Sequence, residues 1–342
     1  MGVTLKDVAE KAGVSKSTVS FVLNKKPYVS QKLRQHVMDV IEELDYHPNE
    51  LASKLGKRQF ENTSTQSICF ISCGIDLADI SRNPYYSEIL TGATMAAQAN
   101  DYRMIYMHTE RGRSEFPAGV DKSNTDGIIF TCRPSLEYIK YAMKREIPFV
   151  LADFDFPEIE CDSVMPDNFK GIFETVGYLY KLGHKNIAFA CGDLEHPDSV
   201  EKLRGYKMAM QEFGLSHESK IIISTYSPEA GKRAIEELYK RKTSFTALIA
   251  GSDQIAVGIY DKAFAMGLKI PDDLSVTGFD DIEISRYMKP ALSTVYVDLK
   301  GIGKKAVERL FQVIEKRDTY SKVKVMTKFI ARESCKKLKA KG

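Results

Sequence analysis

Three short apolar runs in this chain each end on carboxylates or a hydroxyl. Asp153 follows Val150-Leu151-Ala152, Ser252 and Asp253 follow Leu248-Ile249-Ala250-Gly251, and Asp280 and Asp281 follow Val276-Thr277-Gly278-Phe279. If the runs are parallel strands, these side chains face the crevice at the carboxyl edge of a sheet, where ligands bind in such architectures. Carboxylates placed there accept paired hydrogen bonds from vicinal hydroxyls, the pattern a sugar presents. The same residue types cap the helix that follows a strand, and that role alone could account for Asp253 or Asp281. Acid and base catalysis has less support. The pairs Asp272 with Asp273 and Asp280 with Asp281 have no nucleophile beside them, and adjacent loop residues seldom face one substrate. Ser72-Cys73-Gly74 lacks further glycines at dinucleotide spacing. No catalytic residue is assigned, and the chain is expected not to be an enzyme.

A second group of chemically capable residues lies near the amino terminus. Lys16, Ser17 and Ser20 are short or flexible hydrogen-bonding groups suited to base edges and phosphates, and they share a face with Phe21 and Asn24. An outward aromatic is costly unless covered. Phe21 either meets a thymine methyl in a major groove or folds back over the preceding helix.

Three helices must position that face. Thr4 with Asp7 three residues on can close the free amides of a helix start, and Leu5, Val8, Ala9 and Ala12 follow on one side. Gly13 stops this helix, and Ser15 can cap a second with Val19, Val22 and Leu23 inward. A third, capped by Ser30, carries Leu33, Val37, Val40, Ile41 and Leu44 as core. Helix, glycine-containing turn, helix is the helix-turn-helix plan. Farther on, Leu51 and Leu55 lie one turn apart in a segment of eight residues from Pro48, too short to be a stable helix alone.

The run from Val3 to Ser20, VTLKDVAEKAGVSKSTVS, together with Val22-Leu23-Asn24, Val29-Ser30 and YHPNELASKL at 46–55, resembles the headpiece and hinge of the LacI/GalR family of bacterial transcription regulators. The resemblance implies a DNA-binding headpiece at 1–47 and a hinge helix at 48–58 that folds on operator DNA, with Leu55 as the wedge into a central minor-groove step. Residues at the matching DNA-contact positions are Thr4, Lys16, Ser17, Thr18, Ser20, Phe21, Asn24, Tyr46, Asn49, Ala52 and Leu55. Phe21 departs from the family, many members of which carry an arginine there to read guanine, so the half-site is expected to differ at that base.

The remainder alternates strand and helix. Strands are expected at 67–75, 102–107, 126–130, 148–152, 186–190, 220–224, 246–250 and 274–279, with helices at 85–100, 200–213, 230–241 and 254–266. Such alternation gives parallel sheets covered on both faces. After a polar linker at 59–66, residues 67–335 resemble the family's effector core, which shares its fold with periplasmic sugar-binding proteins. The implied fold class is thus α/β: an all-α helix-turn-helix headpiece followed by two lobes of doubly wound parallel sheet. The expected N-lobe is about 67–157 and 291–319, and the C-lobe about 158–290 and 320–335. Crossings are expected near 154–161, 287–294 and 318–322, a short or irregular helix at 111–124, and a solvated basic tail at 336–342.

In that family the positions matching Asp153, Ser252 and Asp280 hold the effector, and those of Tyr85, Tyr86 and Tyr226 often pack an aromatic on it. Lys202 is the second departure, standing where members that bind free sugars or purines usually have an arginine. A lysine offers a point charge in place of a planar fork, which weakens bidentate capture. A sugar, a sugar phosphate or a protein co-effector, as in catabolite control, all remain open.

Charge and composition agree with a DNA-binding amino end. The first 60 residues hold 10 Lys and Arg against 7 Asp and Glu, and the rest holds 39 of each, so the whole surplus sits there. No apolar run reaches the roughly 20 residues needed to span a bilayer, and the amino terminus lacks a signal-peptide core. The expectation is a cytoplasmic homodimeric repressor whose partners are operator DNA and a carbohydrate effector, without membrane contact. A cytoplasmic sugar-binding protein is the alternative. Six scattered cysteines and six scattered histidines show no metal-ligand spacing, and Cys69 with Cys73, four apart on a strand, read as buried small apolar groups. No metal or cofactor is expected.

Overall fold

The computed structural model describes residues 3–23, 29–44, 46, 64–74, 84–110, 112–113, 115–216, 220–315 and 319–338. The hinge expected at 48–58, with Asn49, Ala52 and Leu55, and also Asn24, lie outside the described residues. The chain divides into two compact units, residues 1–64 and 65–342.

The first unit contains α1 (Leu5–Lys11), α2 (Lys16–Leu23) and α3 (Gln31–Glu43). Thr4 and Asp7 form the reciprocal cap: the Thr4 amide donates to Asp7 Oδ2 at 2.7 Å and the Asp7 amide to Thr4 Oγ1 at 3.4 Å. Gly13 takes φ +64°, the left-handed turn that glycine adopts without strain. The Ser15 hydroxyl accepts from the Thr18 amide at 3.1 Å and starts α2. Val8, Val19, Val22, Val37 and Val40 close the core, with Leu33, Ile41 and Leu44 packed partly buried around it. Tyr46 belongs to this core as well, at 9 % exposure. The ring thus helps hold the three helices together; the DNA contact expected of Tyr46 is a separate proposal that rests on the resemblance alone.

The second unit holds two parallel sheets. The first comprises β1 (Ser67–Cys73), β2 (Arg103–Thr109), β3 (Gly127–Cys132), β4 (Phe149–Ala152), β5 (Asp162–Pro166) and β11 (Lys322–Val325), in the order β11-β5-β4-β3-β1-β2. The second comprises β6 (Ile187–Cys191), β7 (Ile221–Ile223), β8 (Ala247–Ala250) and β9 (Ser275–Thr277), in the order β7-β6-β8-β9. β10 (Thr294–Tyr296) and β12 (Lys328–Ile330) pair antiparallel. Helices α4 (Pro84–Gln98) and α11 (Leu299–Ile314) pack on each other beside the first sheet, and α5 (Leu136–Lys144) follows β3. A side chain at Gly92 would collide with the Lys300 carbonyl, and one at Gly303 with that of Ile89, so both helices need glycine where they cross. In the second lobe α6 (Asn168–Lys181) packs on α7 (Pro197–Glu212), and α8 (Pro228–Lys240) on α9 (Asp253–Ala265); the one-turn α10 (Ile284–Tyr287) precedes β10.

Expected strand and helix positions agree with these, but the lobe boundaries shift. β5 pairs with β4 through Val150 and Asp162, and β11 with β5 through Lys322 and Ser163, so both extend the first sheet. Arg309 of α11 secures them, contacting Asp162 and donating to the Thr319 carbonyl at 2.8 Å. Ser293 bridges to Thr277 beside β9 and so belongs with the second lobe. The three crossings therefore fall at 166–168, 296–299 and 325–328, each several residues later than expected. Two other expectations change. The described residues of 111–124 form turns without a helix. The first part of the basic tail is docked, because the Lys336 amide donates to Ser275 Oγ at 3.1 Å and the Leu338 amide to the Leu182 carbonyl at 2.8 Å.

Candidate ligand cleft and DNA-facing helix

Between the lobes, residues from strand ends and helix starts line one cavity: Tyr85, Tyr86 and Asp153 from the first lobe, and His196, Asp198, Lys202, Tyr226, Ser252, Gln254 and Asp280 from the second. All seven residues proposed from the sequence as effector contacts are brought together here. His196, Asp198 and Gln254 were not foreseen. Asp198 and Lys202 are one turn apart behind a proline, a spacing that places an ion pair on one helix face and could have pointed to the aspartate.

Asp153 leaves β4 with φ +58°, and Asp280 follows β9 with φ +111°, both in the left-handed half of backbone space that asparagine and aspartate tolerate best after glycine. Strained backbone at a strand end is a recurrent mark of functional sites. The Tyr85 hydroxyl donates to Asp153 Oδ1 at 2.8 Å. Asp198 is the centre of the second lobe's contribution. Its Oδ2 accepts from Lys202 Nζ at 2.9 Å and from the Tyr226 hydroxyl at 2.7 Å, while Oδ1 stands 2.5 Å from His196 Nδ1. Lys202 also donates to the Gly251 carbonyl at 3.1 Å, and its ammonium lies 4.3 Å from the centre of the Phe279 ring. The lysine therefore lines the cavity but spends its charge within the protein.

Ser252 caps α9, accepting from the Ile255 amide at 3.2 Å. Asp253 is wholly buried and accepts from Thr294 Oγ1 at 2.6 Å and the Ile282 amide at 2.9 Å, stapling β9 to β10. Asp281 pairs with Arg332 at 2.5 Å. Both are structural, as the alternative reading of strand-end aspartates allowed, though by pairing with side chains and backbone elsewhere.

The electrostatics separate the three cavity carboxylates. Burial pushes Asp153 up to about 7, against the pull of His196. Burial also lifts Asp280 well above the carboxylate range, with Lys202 offsetting only part. Asp198 is buried too, but Lys202 and His196 overcome this and hold it below its ordinary value. Burial works against the His196 imidazolium and is outweighed by Asp198, so its pKa rises. Asp280 Oδ1 and His196 Nε2 are buried without hydrogen-bond partners. The arrangement offers hydrogen bonds to a hydroxylated ligand. Among the described residues no group of three or more His, Cys, Asp or Glu is placed to hold a metal ion.

The enclosed space is about 50 Å³, room for one or two waters, whereas ligand sites typically measure roughly 300–1,000 Å³. As it stands the cavity is smaller than a sugar. The Arg133 guanidinium meets Glu195 at 2.5 Å across the lobes, and the edge of the Phe154 ring meets the His196 ring at 5.4 Å beside the cavity.

The sign of its pH dependence follows. Asp153 has a folded pKa near 7 and an unfolded value near 3.9, so the folded chain holds this proton more tightly. The stabilisation is complete below about pH 4 and is lost as pH rises through about 7. His196, raised above its ordinary value, acts in the same direction at its own folded pKa. Asp280 and the buried Asp253 are raised by burial as well and act over the same range, so Asp153→Asn should remove only part of the decline in thermal midpoint between pH 5 and pH 8, an effect of a few degrees because about 1 kcal/mol moves the midpoint of a domain this size by about 2–4 °C. An equally steep decline in the variant, followed by calorimetry, would exclude Asp153 as the source.

In the first unit Lys16 and Ser17 are exposed and Thr18 and Ser20 half-buried. Phe21 is 39 % exposed, so its ring is presented outward on α2. The Thr4 hydroxyl is occupied by its own helix cap, donating to Asp7 Oδ2 at 2.7 Å.

Comparison with known proteins gives two family matches in chain order: "Bacterial regulatory proteins, lacI family" over residues 4–49 and "Periplasmic binding protein-like domain" over residues 176–335. The ribose operon repressor of Haemophilus influenzae is 31 % identical over 98 % of this chain and 99 % of its own length. Catabolite control protein A of Priestia megaterium is 32 % identical over 94 % of this chain and 96 % of its own. Among solved structures, a lac repressor dimer bound to operator and the anti-inducer ONPF superposes with a TM-score of 0.80 at 24 % identity, covering 98 % of this chain and 100 % of that one.

Proposed function

This chain belongs to the lacI family of bacterial regulatory proteins, and from that premise we propose that it is a homodimeric repressor whose operator affinity is set by a small hydroxylated ligand in the interlobe cleft. The observation that carries the ligand is the cavity itself, where buried carboxylates from both lobes meet between tyrosines. A ligand shared by the lobes favours one interlobe angle over another and so shifts the population of DNA-competent molecules.

A neutral sugar fits the chemistry better than a sugar phosphate. The cavity's lysine is committed to Asp198 and Gly251, and Asp153 and Asp280 add acceptors, not cations. Two headpieces related by twofold symmetry would each place the α2 face in a major groove of a pseudo-palindrome. The chain works in the cytoplasm with its DNA and has no catalytic role; no described helix is long and apolar enough to cross a membrane.

The test is a thermal-shift screen of the full chain against neutral sugars and sugar phosphates, then operator selection with any hit. Asp280→Asn keeps the side-chain shape and should weaken the hit's affinity by roughly ten- to a hundredfold, the cost of leaving a buried ligand hydroxyl without its matching oxygen. Unchanged affinity by calorimetry would remove the cleft from the proposal.

A further inference from the structure

A second cavity, of about 320 Å³, lies beside two of the crossings between lobes. It shares no lining residue with the cleft. Met165 and Pro166 at the end of β5 and Lys324 of β11 border it from the first lobe, and Asn168, Leu194 and Val200 from the second. Its size is within the ordinary range for small-molecule sites.

The polar groups around it are of two kinds. The charged ones are already paired: Asp155 with Lys322 at 2.9 Å, Glu195 with Arg133 at 2.5 Å, and Glu201 with Lys324 at 3.6 Å. The uncommitted ones are an amide and one carboxylate oxygen. Asn168 is 2 % exposed and neither atom of its carboxamide has a hydrogen-bond partner, and the same is true of Asp155 Oδ1. An orphaned buried polar group is costly, so an amide and an oxygen left this way beside a cavity of this size need an explanation. Pro157, Pro166 and Pro197 supply rigid apolar wall.

We propose that this cavity is a second ligand site, for a neutral polyol or unphosphorylated sugar. Its hydroxyls donate to Asp155 Oδ1 and Asn168 Oδ1 and accept from Asn168 Nδ2, while its C–H face lies on the prolines. An anion or cation would find every opposite charge at the rim already engaged. Because both lobes build the walls, occupancy depends on the interlobe angle, and the ligand acts on the same equilibrium as the cleft without entering it.

The test uses the full chain labelled with ¹³C at the methionine methyls. Myo-inositol and D-ribose should shift the Met165 resonance saturably, and D-glucose 6-phosphate should not. Val200→Trp fills the cavity from a half-exposed position on α7 that tolerates a larger side chain, and should weaken the effect roughly tenfold or more. The shift should persist in Asp280→Asn, which damages only the cleft. A Met165 resonance unmoved by both neutral probes, a shift unaltered by Val200→Trp, or one lost in Asp280→Asn would each overturn the second site, the last by showing that the signal came from the cleft.

Discussion

Asp198→Ala should destabilise the effector core by roughly 3–5 kcal/mol, the cost of leaving a buried charge without its partner. Lys202 is 3 % exposed, and its ammonium has Asp198 and one carbonyl as hydrogen-bond partners. Removing the carboxylate leaves that charge in a pocket walled by Phe279 and Tyr226, and takes an acceptor from the Tyr226 hydroxyl. Lys202→Met should cost less on its own, and the double variant Asp198→Ala with Lys202→Met should recover much of the loss because no buried charge remains. Urea unfolding of the four proteins measures the coupling. Additive effects would mean that the two residues do not act as a pair.

The second large effect is expected on DNA. Leu55→Ala should lower operator affinity by roughly ten- to a hundredfold, since an inserted apolar side chain trades unstacking of a base step, worth a few kcal/mol, for the contacts of a bent site. Ligand binding in the cleft should not change. The argument comes from the sequence: eight residues from Pro48 are too few for a stable helix alone, and the expectation is that the segment folds on a partner chain and a duplex. Anisotropy titrations at one salt concentration decide it, because phosphate contacts make affinity strongly salt-dependent. Equal affinities would take Leu55 out of the mechanism.

What could be read from the residues and what could not divides along a physical line. The headpiece was legible because each of its signals is local: a capping box at Thr4, a turn glycine at 13, valines at helical spacing. The strand ends carrying Asp153, Ser252 and Asp280 were legible because apolar runs followed by a polar residue have only a few meanings in a parallel sheet. The lobe boundaries were not, since membership of β5 and β11 in the first sheet depends on Arg309 reaching Asp162 across 147 positions of sequence. His196 was missed for the same reason. Its partner Asp198 is two residues away, but the ring matters only because Phe154 and Asp153 of the other lobe meet it. The core role of Tyr46 was not legible either, because its burial depends on three helices at once.

The positive φ at Asp153 and Asp280 limits how this cleft can evolve. Many side chains would add about 1–3 kcal/mol of backbone strain there, so drift is biased toward aspartate, asparagine and glycine, most strongly at Asp280, whose φ of +111° lies beyond the +50° to +68° that Gln66, Cys132, Glu146 and Lys242 adopt. A descendant that acquires a new inducer should therefore keep those two positions and vary at His196 or Gln254, where the main chain imposes no such alphabet.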